Sequence, residues 1–225
     1  MRLPPMTASG NVFVRLGVAH EAALAADPEA RHLAAAMKSA TDRVREAMAR
    51  RQAAREAAVA KLAQRDRADA ELDQAVRRLE IEALAAAGRK RDATPYRELF
   101  PKGLTTVVAA LLPDEVQMVR TLENRLREFP ALAGHGDPLK AARERLEAAV
   151  REHLEAVREE SVAAAALQLA KADWLRQYRA SYGALLAIFG DRRRADAFFR
   201  TPYADSSPED TEDEAEGGSG GGPTP

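Results

Sequence analysis

The sequence predicts an all-α protein: an elongated, coiled-coil-like helical bundle built on two very long helices, with a disordered acidic tail at the C-terminus. Three observations carry that reading. From Pro28 to Gly88 the chain runs without another proline or glycine. Apolar residues make up 46% of the chain but aromatics only 5%, and charged residues 31%. An Ala, Glu, Arg and Leu-rich chain of this kind is the composition of long helices, whose core is thin and spread along their length. Finally, no Lys or Arg follows Arg200, while Asp205, Glu209, Asp210, Glu212, Asp213, Glu214 and Glu216 crowd the end.

Residues 1–27 form an N-terminal segment. Residues 1–11 read as irregular, and Val12 to Ala26 as a short helix. Val12, Phe13, Val14 and Leu16 also suit a strand, but no second strand is visible to pair with it. The bundle proper is predicted over 28–203. Its first long helix, 28–87, opens on Asp27 as N-cap with Pro28 in the first position and Glu29 at the positive end of the dipole. Gly88 stops it. At 1.5 Å per residue such a helix is a rod of roughly 90 Å. Leu33, Met37, Val44, Met48, Val59 and Leu62 lie along one side, continued with rotation by Leu72, Val76 and Leu79. That drift belongs to a near-heptad repeat and a left-handed supercoil. Ala40, Ala47, Ala54 and Ala58 fill inner positions and allow close helix approach.

Residues 88–103 read as a basic connector with a single turn started by Thr94-Pro95. Residues 104–129 form a shorter helical region, bent or restarted at Pro113, with Val116, Val119, Leu122, Leu126 and Phe129 facing inward. The second long helix, 138–189, repeats the Asp-Pro start at Asp137-Pro138 and stops at Gly190. Its stripe is Leu139, Leu146, Val150, Val157, Ala164 and Leu167, then Trp174, Tyr178, Tyr182, Leu185 and Phe189. Seven of the eleven aromatics lie between Trp174 and Tyr203, which marks the densest core. Asp191 caps a terminal helix over 192–199. Residues 204–225 hold no large apolar residue and cannot offset chain entropy, so they are expected to be disordered. The connector permits either a parallel or an antiparallel pair of long helices. The repeated Asp-Pro starts suggest duplication, but the halves share little identity and Asp-Pro is a common helix start.

Function is constrained mainly by exclusion. There is no cysteine, so disulfides, thiolate metal sites and cysteine nucleophiles are ruled out. No stretch approaches the run of about 18 apolar residues that spans a bilayer, and Met1 to Gly10 does not read as a signal peptide, so the expected location is cytoplasmic. No GxGxxG, Walker A, HExxH or GxSxG motif occurs, and Gly217 to Gly222 lacks the flanking strand and helix of a phosphate loop. His20, His32, His135 and His153 show no triad logic. Glu29 and His32 make one ExxH spacing where di-iron bundles use two. Neither a cofactor nor enzymatic activity is expected.

A non-enzymatic scaffold or interaction protein, working through its long helical faces by self-association or with a protein partner, is the first expectation. The alternative is a polyanion binder. From Arg43 to Arg67 eight basic residues face three acidic ones, and Arg43, Arg50, Lys61 and Arg65 share one face able to track phosphates. The tail would mask them: its seven acidic residues leave +6 on the other 204 residues, given a net charge of −1. Against this, no aromatic lies between Pro28 and Gly88 to stack on bases. A membrane surface is not expected, because the face opposite the arginines is mostly alanine. The remaining alternative is a metal-binding helical-bundle enzyme. A polar core layer is also predicted, because Arg51 and Arg55 fall in the first stripe and Glu160 in the second. Such charges need a partner or water.

Overall fold

The computed structural model describes residues 1–202, so the acidic tail predicted over 204–225 lies outside the described residues. The elements in chain order are α1 (Gly10–Ala26), a 3-10 turn (Arg31–Leu33), α2 (Ala34–Ala86), α3 (Tyr96–Leu99), α4 (Leu104–Val108), α5 (Leu112–Leu126), a second 3-10 turn (Pro130–His135), α6 (Gly136–Phe189) and α7 (Arg192–Asp196). No strand occurs among the described residues, and the ambiguous Val12–Leu16 segment is helical. The two long helices have 53 and 54 residues.

The local signals act much as their chemistry dictates, with shifted boundaries. Asp27 does cap: its Oδ1 accepts from the amides of Glu29 at 2.8 Å and Ala30 at 3.2 Å. The capped residues form a turn rather than the first helical turn, because Ala30 is pinned with no exposure in the core. The α-helix therefore starts at Ala34, not Pro28. Gly88 ends it at φ +65, with Arg89 N–H donating to the Leu84 carbonyl and Gly88 N–H to that of Ala85. That pair of bonds is the Schellman motif, and its left-handed residue favours glycine. α6 starts at Gly136, two residues before the predicted Pro138, which puts Asp137 in the first turn beside the positive end of the dipole. The region 104–129 is two helices, with Pro113 opening the second. Asp191 caps α7 through the Arg193 amide, but that helix is shorter than 192–199 and Phe198 and Phe199 follow it.

The chain divides into two compact units, residues 1–54 with the described residues from Glu159 on, and residues 55–158. In the first unit α1 packs on the beginning of α2 and the end of α6. Gly10 meets Met48 and Gly17 meets Thr41, so α1 runs antiparallel to α2. Phe13 packs on Trp174 and His20 on Ser181, so α1 runs parallel to α6. Here the two long helices are therefore antiparallel. In the second unit α5 takes the third place. Lys61 pairs with Glu152 at 2.7 Å and Glu71 with Arg145 at 3.1 Å, which again sets α2 against α6. Its core holds Leu72, Val76, Leu79, Val119, Leu122 and Leu146, each at most 3% exposed.

The predicted stripes hold where a third helix covers them. Met37, Val44, Leu139 and Leu146 are at most 1% exposed. They fail at Val59, which is 61% exposed, and at Val157, 40% exposed. At those positions the helix contact is made by Ala58 and Ala156 instead, 5% and 6% exposed.

Candidate functional site

The basic stripe is the first feature to place. Arg43, Arg50, Lys61 and Arg65 all lie on α2, two in each unit. Arg43 and Arg50 are exposed, and Arg50 stands 3.8 Å from Glu46 one turn back. Lys61 donates to Glu152 on α6 and to Gln64 at 3.0 Å. Arg65 donates to Asp66 at 2.6 Å. Three of the four guanidinium or ammonium groups thus already have a carboxylate within ion-pair reach, which weakens any phosphate-tracking role.

The polar layer takes a different form from the stripe prediction. Arg51 and Arg55 are exposed and Glu160 is half-buried. Arginine at these positions meets solvent for the same reason as Val59: the small alanines between the helices set the contact, and longer side chains are displaced outward. No buried charge pair is then required. The Glu29 and His32 spacing falls in a turn rather than an α-helix, and Glu29 stands 3.7 Å from Arg194.

Three clusters escaped the sequence reading. In the first unit His20 and Ser181, far apart in sequence, meet at 2.8 Å through Nε2 and Oγ. Nδ1 lies 2.9 Å from the Phe198 carbonyl, which can only accept, so Nδ1 carries the proton and Nε2 takes the serine hydroxyl. Burial lowers the imidazole below its ordinary 6.5, opposed in part by that carbonyl bond. This is a serine–histidine pair with an orienting acceptor, but each residue is only 1% exposed and Phe199 stacks on the ring at 4.2 Å. It ties α1, α6 and the segment after α7 together and offers no path to a substrate. Beside it Trp174 donates to Thr41 Oγ1 at 3.2 Å, and Thr41 to the Met37 carbonyl.

In the second unit Glu115 of α5 is 3% exposed. Burial, then the nearby Asp69 and Asp73 of α2, push its carboxyl up to about 7. Glu115 Oε1 and Asp73 Oδ1 are buried without a hydrogen-bond partner. The signal was legible: Glu115 precedes Val119, Leu122 and Leu126 at their own apolar spacing. A cavity of about 210 Å³ also lies in this unit, with an apolar floor of Leu99, Phe100, Met118 and Leu122 and with Lys102 and Arg125 in its lining. One Arg125 N–H is committed to the Glu98 carbonyl at 2.9 Å.

The third cluster is on the surface. Val59, Leu154 and Val157 in the second unit, and Val162 and Leu169 in the first, are exposed aliphatic residues on the long helices, at 40–70% of their surface. Among the described residues no group of three or more His, Asp or Glu is arranged to hold a metal ion, and no helix is long and apolar enough to cross a membrane. No known protein-family model matches the chain, and no curated protein or solved structure compared with it proves similar.

Proposed function

We propose that the protein is a non-enzymatic interaction protein that works through the exposed faces of its long helices. The observation that carries this reading is the set of solvent-exposed aliphatics on the long helices of each unit: Val162 at 70% and Leu169 at 68% in the first, Ile81 and Val59 at 61% in the second. Single exposed apolar residues are common, but a recurring set along two long helices suits contact with another protein. The buried clusters support the same reading, since the residues best suited to acid–base chemistry, His20 and Glu115, are sealed in the cores.

Quantitative co-purification with the full chain from its native cells tests this. A variant carrying Val162→Asp, Leu169→Asp and Ile81→Asp should keep its helical circular dichroism and lose specific protein partners. An identical set of bound proteins for both forms would overturn the reading.

A further inference from the structure

The cavity of about 210 Å³ in the second unit combines an apolar floor with two cations and no carboxylate in its lining. It lies between α5 and the segment that joins α3 to α4. α3 ends at Leu99, and the chain turns into α4 through Gly103, whose N–H donates to the Phe100 carbonyl at 2.9 Å. Gly103 holds φ +83, a value that favours glycine. The floor is part of the core of this unit: Leu99, Phe100, Val107 and Leu122 are all buried. Met118 packs beside them with an unbranched side chain that adapts to what it meets. The cations are Lys102 of the turn and Arg125 of α5. Arg125 is half-buried, and one N–H donates to the Glu98 carbonyl at 2.9 Å, which ties the guanidinium to the end of α3 and leaves its other N–H groups for a ligand. Among the described residues no carboxylate lies within ion-pair reach of Lys102 or Arg125. The neighbouring acids have other partners or positions. Glu98 accepts from the Thr94 hydroxyl at 2.9 Å, and Glu123 is bound by Arg143 at 2.6 Å. Glu128 is exposed and follows the last residue of α5, Leu126. Thr106 and Thr121 also line the cavity, but their hydroxyls donate to the carbonyls of Lys102 and Gln117, so the donors left for a ligand are the two cations.

We propose that this cavity binds a medium-chain aliphatic carboxylate, its hydrocarbon on the apolar floor and its head group on Lys102 and Arg125. The site stands apart from the exposed aliphatics of the interaction reading and does not depend on it. An apolar pocket with a few polar groups that fix orientation is the usual form of a small-molecule site. Its volume is below the roughly 300–1,000 Å³ of sites for drug-sized ligands, which suits a chain of about eight carbons rather than a long fatty acid. Charge selects the head group: carboxylate is the natural partner of a guanidinium, through charge-assisted and often bidentate hydrogen bonds. Hydrophobicity selects the chain, since a bare anion leaves the floor uncovered while each methylene placed on it leaves water. Two other cavities show the contrast. One is lined by Lys38 and Arg43 with Asp42 and Glu46, the other by Arg127 and Lys140 with Glu123 and Asp137. In both the cations are matched by carboxylates, and neither has a floor of buried aliphatic and aromatic side chains like that beneath Lys102. The acidic tail of this chain has the right charge but no large apolar side chain to reach that floor.

The test uses the full chain with methyl-labelled Leu, Val and Met, titrated separately with octanoate, octylamine, acetate and a short peptide ending in leucine. Octanoate should saturate and shift the methyls of Leu99, Val107, Met118 and Leu122. It should bind roughly tenfold or more tighter than octylamine or acetate, a difference of about 1.4 kcal/mol or more. Lys102→Glu alone, at an exposed position that leaves the Arg125–Glu98 bond in place, should weaken octanoate by roughly threefold. Lys102→Glu with Arg125→Gln should turn the preference toward octylamine, while the methyl spectrum of the free variant away from the cavity stays that of the parent. Equal binding of octanoate and octylamine overturns the proposal, because the cations then select nothing. Acetate as tight as octanoate overturns it by leaving an anion site without a chain site. No binding, or shifts only at surface methyls such as Val162 and Leu169, overturns it as well. Unchanged octanoate affinity in both variants does the same. A leucine-ended peptide that binds tighter than octanoate makes a peptide C-terminus the occupant and overturns the free acid.

Discussion

Two buried titratable residues give the two units opposite responses to pH. His20 is held neutral, its value lowered by burial, so the unfolded chain takes up a proton before the folded one as pH falls below about 6.5. Its contribution to stability is complete above that value and is lost on acidification through the lowered folded value. Glu115 behaves in reverse. With its carboxyl raised from 4.5 to about 7, its contribution is complete below about 4.5 and lost as pH rises through 7. The gap corresponds to about 3 kcal/mol. Glu115→Gln, which keeps a neutral group there, should therefore be more stable than the parent at pH 8 by up to that amount, and equal to it near pH 4. Denaturant melts at the two pH values check this, and an equal difference at both would show that Glu115 is ionised in the fold. Hydrogen exchange should show α1 amides opening more readily at pH 5 than at pH 8, and α5 amides the reverse. Glycine matters at one contact above all. A Cβ on Gly17 would overlap the Thr41 hydroxyl and reach 2.9 Å from Trp174 Nε1. Gly17→Ala should cost about 1–3 kcal/mol by overpacking, read by thermal melting. A neutral result would mean that α1 moves off α2 freely.

At the scale of the element, alanine decides how the long helices meet. Ala40, Ala47, Ala58, Ala68, Ala83, Ala142 and Ala156 are each at most 8% exposed, so the two helices approach through small side chains. Large apolar residues of the long helices are buried where α1 or α5 completes a third side, as Met37, Val44, Leu72 and Leu146 are. This is why a wheel predicts Met37 and Leu146 correctly and Val59 and Val157 incorrectly: periodicity marks a face, but a neighbour is needed to bury it. It also explains Arg51 and Arg55, whose place in the stripe is real and whose burial is not. Trp174 shows the opposite case. It is fully buried, edge-on to Phe13 and stacked 4.5 Å from Tyr178. Trp174→Ala should destabilise by about 3–5 kcal/mol, measured by denaturant unfolding, and should loosen α1 from α6. Leu154→Ala, at 53% exposure, should change stability by no more than about 0.5 kcal/mol. A large loss there would mean that Leu154 is already covered.

At the scale of the whole molecule, charge is divided along the chain. Deleting residues 205–225 removes seven acidic groups and leaves +6 on the remaining 204 residues. The shortened chain should elute from a heparin column at higher salt than the full chain. An unchanged elution point would mean that local pairs such as Lys61–Glu152 already neutralise the basic face. The sequence by itself determined the helical class, the two long helices, their glycine stops at Gly88 and Gly190, and the caps at Asp27 and Asp191. These are local matters: a run without proline or glycine, a left-handed residue, a side-chain oxygen near a free amide. It also marked the aromatic core around Trp174 and Tyr178. Tertiary structure alone decided the antiparallel course of α2 and α6 within each unit, the meeting of His20 with Ser181, and the gathering of Asp69, Asp73 and Glu115. It alone decided which part of each apolar stripe is covered. Those outcomes depend on where α1 and α5 begin and end against the long helices, and the spacing along one helix carries no record of where its neighbour stops.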